Sequence, residues 1–564
     1  MNRKPTPFQR RRPILFWSLA PGLLLAGFGS LCGAQTTEGV LEGWRITPRL
    51  SVGATYSDNI RLAPSDEAEG DWVWQVDPGI SMRKQGGRLD LRLDYTAQGL
   101  LYTENGDANT INHNLQAFGT AELYQGHLFL DASGLISQVP VTSSGRVDAG
   151  GLGSTSGSGF AQSMFGSLNL GLPGAGDLFN PIGLFSDLAL TGNQTTSYNV
   201  GLSPYWRQNF GGWAQALLRY RYEDVRYSGQ QEVDGVSEIP TADVETLDSR
   251  TNTIEFNLTN GHRFSLLTWN LDYFYQRQDQ DQVENEVSTD GDEDRRERVA
   301  GQLNYRLNSQ WALRADAGYE NNELSTYEDN QNGGYGGLGA VWTPSRFITL
   351  SGLYGWNINE VSLEWNPSAR TNLRIRRRDQ SVGESPGVRW EGSFNHRSHY
   401  GVWTASYTEE VTNTQQLLGG EPGQEGQPPV SSGPFGLSDQ DFLRKRFDAG
   451  VTYQRRRNSL GFNAFHESRE YQDPADNETG YGAGVLWTWR FTPRTASFLG
   501  TGWEYDEPGD EEENDYWVSV IGLARVFTPN SGGLISYRYY RNDAEPSDQS
   551  FRENRINVRY SLRF

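Results

Sequence analysis

Residues 88–97 read Arg-Leu-Asp-Leu-Arg-Leu-Asp-Tyr-Thr-Ala, a pattern that indicates the fold class of the chain. Leu89, Leu91 and Leu93 alternate with charged residues, which is the two-residue period of a β-strand with one apolar and one charged face. The same alternation returns at 198–207, 214–223 and 267–276. Such segments run for roughly ten to fifteen residues, the length that a tilted strand needs to cross a bilayer. We therefore predict an all-β fold, a transmembrane antiparallel β-barrel.

The connections between these segments alternate in length. Tight turns rich in Gly, Pro, Asn and Ser fall at 84–87, 124–126, 210–212, 260–262, 308–310, 343–346, 492–494 and 528–532, with long polar connections between them. Short turns on one side and long loops on the other are typical of outer-membrane barrels. We predict about 22 strands, in a range of about 18 to 24, and an even number because both ends should lie in the periplasm. Stretches 139–194 and 359–385 stay unassigned, and each could hide a strand pair or a loop folded into the lumen.

Composition excludes several classes of protein. The formal charge of −21 makes a nucleic-acid partner a poor fit, and the acid is concentrated in runs at 279–297 and 504–515, which we expect to be loops. Mean hydropathy is −0.65, yet a barrel strand averages near neutral because every second residue faces a polar lumen. The single cysteine, Cys32, rules out a disulfide framework.

The N-terminus has the pattern of a secretory signal. Basic residues at positions 3–12 precede an apolar run from Pro13 to Leu31 and the small pair Gly33-Ala34. We expect a cleaved signal peptide over 1–34, a short periplasmic segment over 35–43 and a barrel over 44–564. The C-terminus places Tyr560, Leu562 and Phe564 outward, which resembles the assembly signal that the outer-membrane insertion machinery reads. Bilayer lipid and lipopolysaccharide are the other expected partners.

The opening strand carries a resemblance to a family. Residues 44–62, with Trp44, Pro48 and the run 56–60 (Tyr-Ser-Asp-Asn-Ile), resemble the outer-membrane proteins associated with PEP-CTERM/exosortase systems. The likeness continues at 77–80, 89–101, 128–132, 203–206 and 405–407, while 139–194 and 414–440 depart from it. The resemblance implies a barrel without established catalytic residues, from a system tied to exopolysaccharide production and surface sorting.

The strongest candidate site is a set of lumen-facing arginines, whose guanidinium groups pair carboxylates or phosphates. They could guide an anionic exopolysaccharide, or they could brace the barrel with inward acids such as Asp94 and Asp316. Arg555, Arg559 and Arg563 share one strand face without an intervening acid, so we expect that wall to be positive unless neighbouring strands supply acid. The set comprises Arg92, Arg219, Arg221, Arg314, Arg538, Arg559 and Arg563.

The remaining features point to ordinary barrel roles. Inward Tyr205 and Phe274 could stack on sugars. We predict no cofactor and no metal site, because the calcium-like spacing from Glu286 to Glu297 lacks its first Asp and flanking helices. Aromatics suited to the headgroup level of a bilayer are Trp72, Trp74, Trp269, Trp487, Trp489, Tyr537 and Tyr539.

Three functions follow, in order of preference. The first is an outer-membrane conduit or scaffold in exopolysaccharide export or surface organisation. The second is a structural or adhesive barrel without transport. The third is a surface enzyme, and we predict that the chain is not one, because the six histidines sit in no hydrolase or metalloprotease motif.

Overall fold

Twenty-four strands form one antiparallel sheet that closes on itself where β1 pairs with β26. The computed structural model describes residues 43–140, 170, 172, 194–228, 248–280, 282–284, 287–289, 293–324, 331–419, 435, 437–438, 440–509, 513–545 and 547–564. The predicted signal peptide and nearly all of the segment over 35–43 lie outside these residues. Among the described residues, no helix has the length and apolarity to cross a membrane.

The barrel strands follow chain order, and β10 and β11 form a separate small hairpin. The bounds are β1 (Trp44–Ser57), β2 (Asp71–Gln85), β3 (Leu89–Tyr102), β4 (Thr110–Tyr124), β5 (Leu128–Pro140), β6 (Gln194–Asn209), β7 (Ala214–Ser228), β8 (Ser249–Asn260), β9 (Leu267–Gln280), β10 (Gln282–Glu284), β11 (Val287–Thr289), β12 (Glu293–Arg306), β13 (Trp311–Glu323), β14 (Gly333–Ser345), β15 (Ile348–Trp356), β16 (Ile358–Ser368), β17 (Thr371–Gln380), β18 (Gly387–Arg397), β19 (Gly401–Thr412), β20 (Phe442–Arg455), β21 (Asn458–Glu470), β22 (Glu478–Thr492), β23 (Thr495–Pro508), β24 (Glu513–Thr528), β25 (Ser531–Glu545) and β26 (Phe551–Arg563). A short helix, α1 (Thr414–Gly419), follows β19.

The prediction of a closed antiparallel β-barrel with an even strand number is confirmed, but the number is 24 rather than about 22. The unassigned stretch 359–385 contains most of β16 and all of β17, joined by a two-residue turn. These strands are 11 and 10 residues long and carry the run Arg374 to Arg378, so their alternation is weak in the sequence.

The tight turns that the sequence predicts lie at one end of the barrel, which we call the short-turn end. The other end is the long-loop end, although Asn357 alone joins β15 to β16 there. Several ladders shift register beside a turn that contains proline, for example between Val526 and Thr528 ahead of Pro529. Proline lacks the N–H that a ladder needs, and a bulge at a strand end accommodates it.

The outer face is apolar, as the alternation predicts. Leu271, Leu303 and Ile521 are exposed on it, and Phe564 continues the outward face of β26 with its backbone N–H donated to the carbonyl of Pro48. Five of the predicted headgroup-level aromatics lie near the two ends: Trp72 and Trp74 open β2 at the long-loop end, and Trp269, Trp487 and Trp489 lie near the short-turn end. Tyr537 and Tyr539 lie in the middle of β25.

The acidic runs are less loop-like than expected. In the second run β23 continues to Pro508 and β24 resumes at Glu513, so only 509–512 connect them. Glu504 and Asp506 lie on the inner face of β23 and are fully buried. This part of the prediction was wrong because the amino-acid composition of a segment does not distinguish acids on the inner face of a strand from acids in an exposed loop.

Candidate functional site

The lumen wall is the candidate site, and it places the predicted arginines in two different settings. Four of them are held by acids: Arg559 by Asp77 at 2.8 Å and Arg538 by Glu553 at 3.0 Å. Arg314 pairs with Asp316 and Glu360, and Arg219 lies 3.5 Å from Asp131. Arg221 is buried, and Arg563 donates to the carbonyl of Pro529 at the final turn.

The expectation of a positive wall on β26 is therefore corrected. Neighbouring strands supply the acid, because Asp77 of β2 reaches Arg559 across β1. Arg555 and Arg538 share Glu553, which lies on the inner face of β26 itself. Within the described residues this part of the wall is a charge network, as the bracing alternative predicts.

Arg92 is different, because it belongs to a row of three arginines at the short-turn end. Arg45 of β1 lies directly opposite Arg83 of β2, which in turn lies opposite Arg92 of β3. All three are on the inner face and exposed. None of them forms an ion pair with a residue that the structure describes. Adjacent strands are about 4.8 Å apart, so three like charges crowd one level of the wall.

More arginines face inward around the same end of the barrel. Arg306 ends β12 and Arg397 ends β18, and both are exposed and free of ion pairs with described residues. Asp90 and Glu122 lie at this end too, so acid is present but sparse. We call Arg45, Arg83 and Arg92 the arginine row. Together with Arg306 and Arg397, they make the short-turn mouth basic. Of the arginine row, only Arg92 was predicted from the sequence, although the tight turn at 84–87 already fixes Arg83 opposite Arg92.

A buried ionic cluster lies on the opposite, long-loop side of the wall. Glu467 is fully buried and accepts hydrogen bonds from Arg444 at 3.0 Å, Arg446 at 2.5 Å and Arg469 at 3.1 Å. Arg469 also reaches Glu478 at 3.3 Å. Glu467 thus joins β20 to β21, and Arg469 extends the cluster to β22 through Glu478.

The connection between β19 and β20 crosses the lumen. We call its described residues, 413–419, 435, 437–438 and 440–441, the lumenal bridge. Asp441 accepts a hydrogen bond from Arg296 of β12 at 3.1 Å, and Asn413 and Gln416 donate to Gln278 of β9 at 3.2 and 2.9 Å. Seven strands separate β12 from β20, so these contacts span about a third of the barrel wall.

Other bridge contacts are apolar or aromatic. Leu437 packs on Val139, Val225 and Tyr227 of β5 and β7. Phe435 lies against the guanidinium of Arg469, with 4.7 Å between the ring centroid and the guanidinium carbon. The bridge therefore touches both halves of the long-loop mouth and narrows it.

A second segment enters the lumen from stretch 139–194. Most of that stretch lies outside the described residues, but Leu170 and Leu172 are buried in one apolar cluster with the inner face of β21 to β25. For these two residues the alternative of a loop folded into the lumen holds. Their wall partners include Phe465, Leu486, Phe498, Val518, Val520, Val526 and Leu534.

The two inward aromatics have different surroundings. Tyr205 is stacked on Phe129 at 4.9 Å, and Arg219 lies 4.4 Å from its ring centroid, so both faces are in contact. Phe274 is half-buried with Arg298 at 5.8 Å from its ring centroid. Of the calcium-like residues, Glu286, Asp290 and Gly291 lie outside the described residues.

Comparisons with known proteins identify one family model and several barrels. Residues 242–414 match the family described as "Protein of unknown function, DUF481", which covers β8 to β19. No curated protein matches the chain. None of these matches tests the PEP-CTERM/exosortase resemblance or the absence of enzymatic activity, which stay predictions.

Two of the similar solved structures are described as siderophore receptors and a third as an iron transporter. The siderophore receptor PirA from Pseudomonas aeruginosa is 8% identical with a TM-score of 0.42, over 92% of this chain and 80% of that one. PirA from Acinetobacter baumannii is 10% identical with a TM-score of 0.40, over 91% and 80%. The FrpB iron transporter from Neisseria meningitidis is 12% identical with a TM-score of 0.40, over 93% and 83%. TM-scores below 0.5 are too low for function to be transferred.

Proposed function

We propose that this barrel is an outer-membrane conduit for an anionic exopolysaccharide, with the short-turn end in the periplasm. The apolar outer face and the polar inner face suit a barrel with lipid outside and water inside. The short-turn end then takes polymer from the periplasm, and the insertion machinery recognises Tyr560, Leu562 and Phe564. The family resemblance supplies the link to exopolysaccharide.

The observation that carries the proposal is the arginine row. Like charges directly opposite each other on neighbouring strands are destabilising, and Arg45, Arg83 and Arg92 form two such pairs in succession. Bracing cannot explain the row, because none of the three has an ionic partner within the described residues. Carboxylates or phosphates of a passing polymer would supply the missing partners.

The lumenal bridge supports a controlled conduit. Its anchors to β9 and β12 are a few polar contacts, with two hydrogen bonds on Gln278 at 2.9 and 3.2 Å and one between Arg296 and Asp441 at 3.1 Å, and such contacts can exchange with water when the bridge moves. The same contacts favour the second candidate, a structural or adhesive barrel, if the bridge never moves. The two candidates differ in whether polymer passes.

Polymer secretion by a deletion strain tests the proposal. The strain carries either the parent gene or the triple variant Arg45→Gln, Arg83→Gln, Arg92→Gln. We expect the parent to restore secretion and the triple variant to restore much less, at equal amounts of inserted barrel. The control is Lys84→Gln, which removes a charge from the outer face of β2 and should secrete normally. Full secretion by the triple variant would contradict the proposal.

A further inference from the structure

A small polar cavity lies in the inner wall near the long-loop end, separate from the arginine row. Its volume is about 200 Å³, and residues of β9, β12, β13, β17 and β18 line it. At about 30 Å³ for each water molecule in the liquid, this space holds one sugar-sized ligand or a few waters. The lining residues that matter are Phe274, Arg298, Glu320, Asn322, Gln380 and Arg389.

The connection between β17 and β18 forms a fixed edge of the cavity. Gly383 exchanges two backbone hydrogen bonds with Gln331, at 2.9 and 2.7 Å, and Gln380 donates to the carbonyl of Val382 at 2.8 Å. Gly383 has a φ of +120°, and a Cβ at this position would lie 2.6 Å from a carboxylate oxygen of Glu320. Only glycine at position 383 therefore lets the connection between β17 and β18 pack this closely against Glu320.

The lining of the cavity carries four arginines and three glutamates, a formal excess of one positive charge: Arg296, Arg298, Arg378 and Arg389 against Glu297, Glu320 and Glu384. Arg296 is paired with Glu384 at 3.7 Å. Arg378 and Arg389 lie directly opposite each other on β17 and β18, a like-charge pair that is unfavourable by itself. Arg378 is paired with Glu360 at 3.2 Å, whereas Arg389 donates to the carbonyl of Ser385 at 2.8 Å.

Of these guanidinium groups, that of Arg298 is the most accessible to a ligand. It is exposed to the lumen, and it forms no ion pair with any residue in the described part of the chain. Its cross-strand neighbour is Glu320, but Glu320 instead accepts a hydrogen bond from Gln380 at 2.8 Å. Phe274 supports the guanidinium from one side.

Asn322 adds a second donor that has no partner. Its side chain is 3% exposed, and Nδ2 has no hydrogen bond in the structure. A buried unpaired donor is unfavourable by itself, so such groups call for an explanation. An acceptor atom of a ligand in the cavity would satisfy it.

We infer that this cavity binds an acidic sugar. Arg298 and Arg389 face the carboxylate, Asn322 donates to an oxygen of the ligand, Glu320 and Gln380 bond ring hydroxyls, and Phe274 offers a ring face for the apolar side of the sugar. That the anion is a sugar acid rests on the proposed function. That the cavity takes a carboxylate or phosphate rests only on its own donors.

Calorimetric titration of the purified, detergent-solubilised barrel tests the inference, with glucuronate, glucose and inorganic phosphate as probes. We expect glucuronate to bind at least about tenfold more tightly than glucose or phosphate. Arg298→Gln should weaken glucuronate binding by about tenfold or more, which corresponds to about 1.4 kcal/mol. The matched control is Arg277→Gln on the neighbouring strand β9, because Arg277 pairs with Asp279 on the outer face, and the affinity of this variant for glucuronate should not change.

Asn322→Asp provides a second variant with the same shape. It replaces the unpaired donor with an acceptor and should abolish glucuronate binding while the barrel still shows heat-dependent migration on gels. Equal binding of glucuronate and glucose, or equal affinity in Arg298→Gln and Arg277→Gln, would overturn the inference. Tighter binding of phosphate than of glucuronate would overturn the assignment to a sugar acid.

These outcomes are separable from those of the proposed function. The arginine-row variants leave the cavity intact, so normal secretion in those variants with glucuronate binding retained would reject the conduit and keep the cavity site. Normal secretion in the parent without any glucuronate binding would reject the cavity site alone.

Discussion

Replacing Arg83 by Gln tests whether this arginine has a functional or a structural role. The two roles predict changes of opposite sign in the free energy of unfolding. Arg83 lies between Arg45 and Arg92, so the substitution relieves two like-charge pairs at once. Cross-strand pairs contribute roughly 0.2–1 kcal/mol each. The free energy of unfolding should therefore rise by about 0.4–2 kcal/mol at low salt.

Salt gives this prediction a second signature. The Debye length falls from about 10 Å at 0.1 M to about 3 Å at 1 M, so the stabilisation should shrink as salt is added. The assay is urea-induced unfolding from lipid vesicles, followed by tryptophan fluorescence, at the two salt concentrations.

Lys84→Gln is the matched control, since Lys84 is the next residue on β2 and faces outward beside Trp44. It should lose stability slightly, by up to about 1 kcal/mol, if the cation–π contact contributes. A loss of more than about 1 kcal/mol in Arg83→Gln would contradict this prediction, because it would show that Arg83 braces the wall.

The remaining predictions concern the two faces of the wall and the bridge. Leu271→Arg should lower the free energy of unfolding from lipid by about 2–4 kcal/mol near the bilayer midplane, whereas Asn270→Arg, on the inner face, should lower it much less. Equal losses would overturn the face assignment. Glu467→Gln should destabilise by about 3–5 kcal/mol because it leaves three buried guanidiniums without their shared carboxylate. Glu470→Gln, at an exposed outer pair on the same strand, should lose under about 1 kcal/mol, and a similar loss in both would contradict the cluster's role. Burial, only partly offset by the neighbouring guanidinium, raises the pKa of Asp441 to about 7. Protonated Asp441 therefore stabilises the folded bridge. This stabilisation is complete below about pH 4 and is lost as the pH rises through about 7. Conductance should increase over that range and stay flat in Asp441→Asn, and a rise in conductance on acidification would contradict the assignment.

The alternation of side chains made most of the fold predictable from sequence. At Leu89, Leu91 and Leu93 the period of two fixes which face meets lipid, and the tight turns fix the register of each hairpin. Strands β16 and β17 were missed because they are short and carry a run of arginines. The even number was predictable because it follows from topology alone.

Long-range partners were not predictable. Asp77 and Arg559 are 482 residues apart in the chain, and they meet because β1 closes the barrel against β26. Arg296 and Asp441 meet because a connection of irregular structure crosses the lumen. By contrast, Arg83 and Arg92 flank the tight turn at 84–87, so this pair of the arginine row could be predicted from the turn. Arg45 meets Arg83 in a hairpin whose long connection, 58–70, does not set the register.

Reversal potentials of the purified barrel in planar lipid bilayers test whether the arginine row guides anions through the lumen. We expect an ion-conducting pore that prefers anions at about 0.1 M salt, with the preference fading at about 1 M and lost in the Arg45→Gln, Arg83→Gln, Arg92→Gln variant. A cation-selective pore, or a correctly inserted barrel that never conducts, would contradict it.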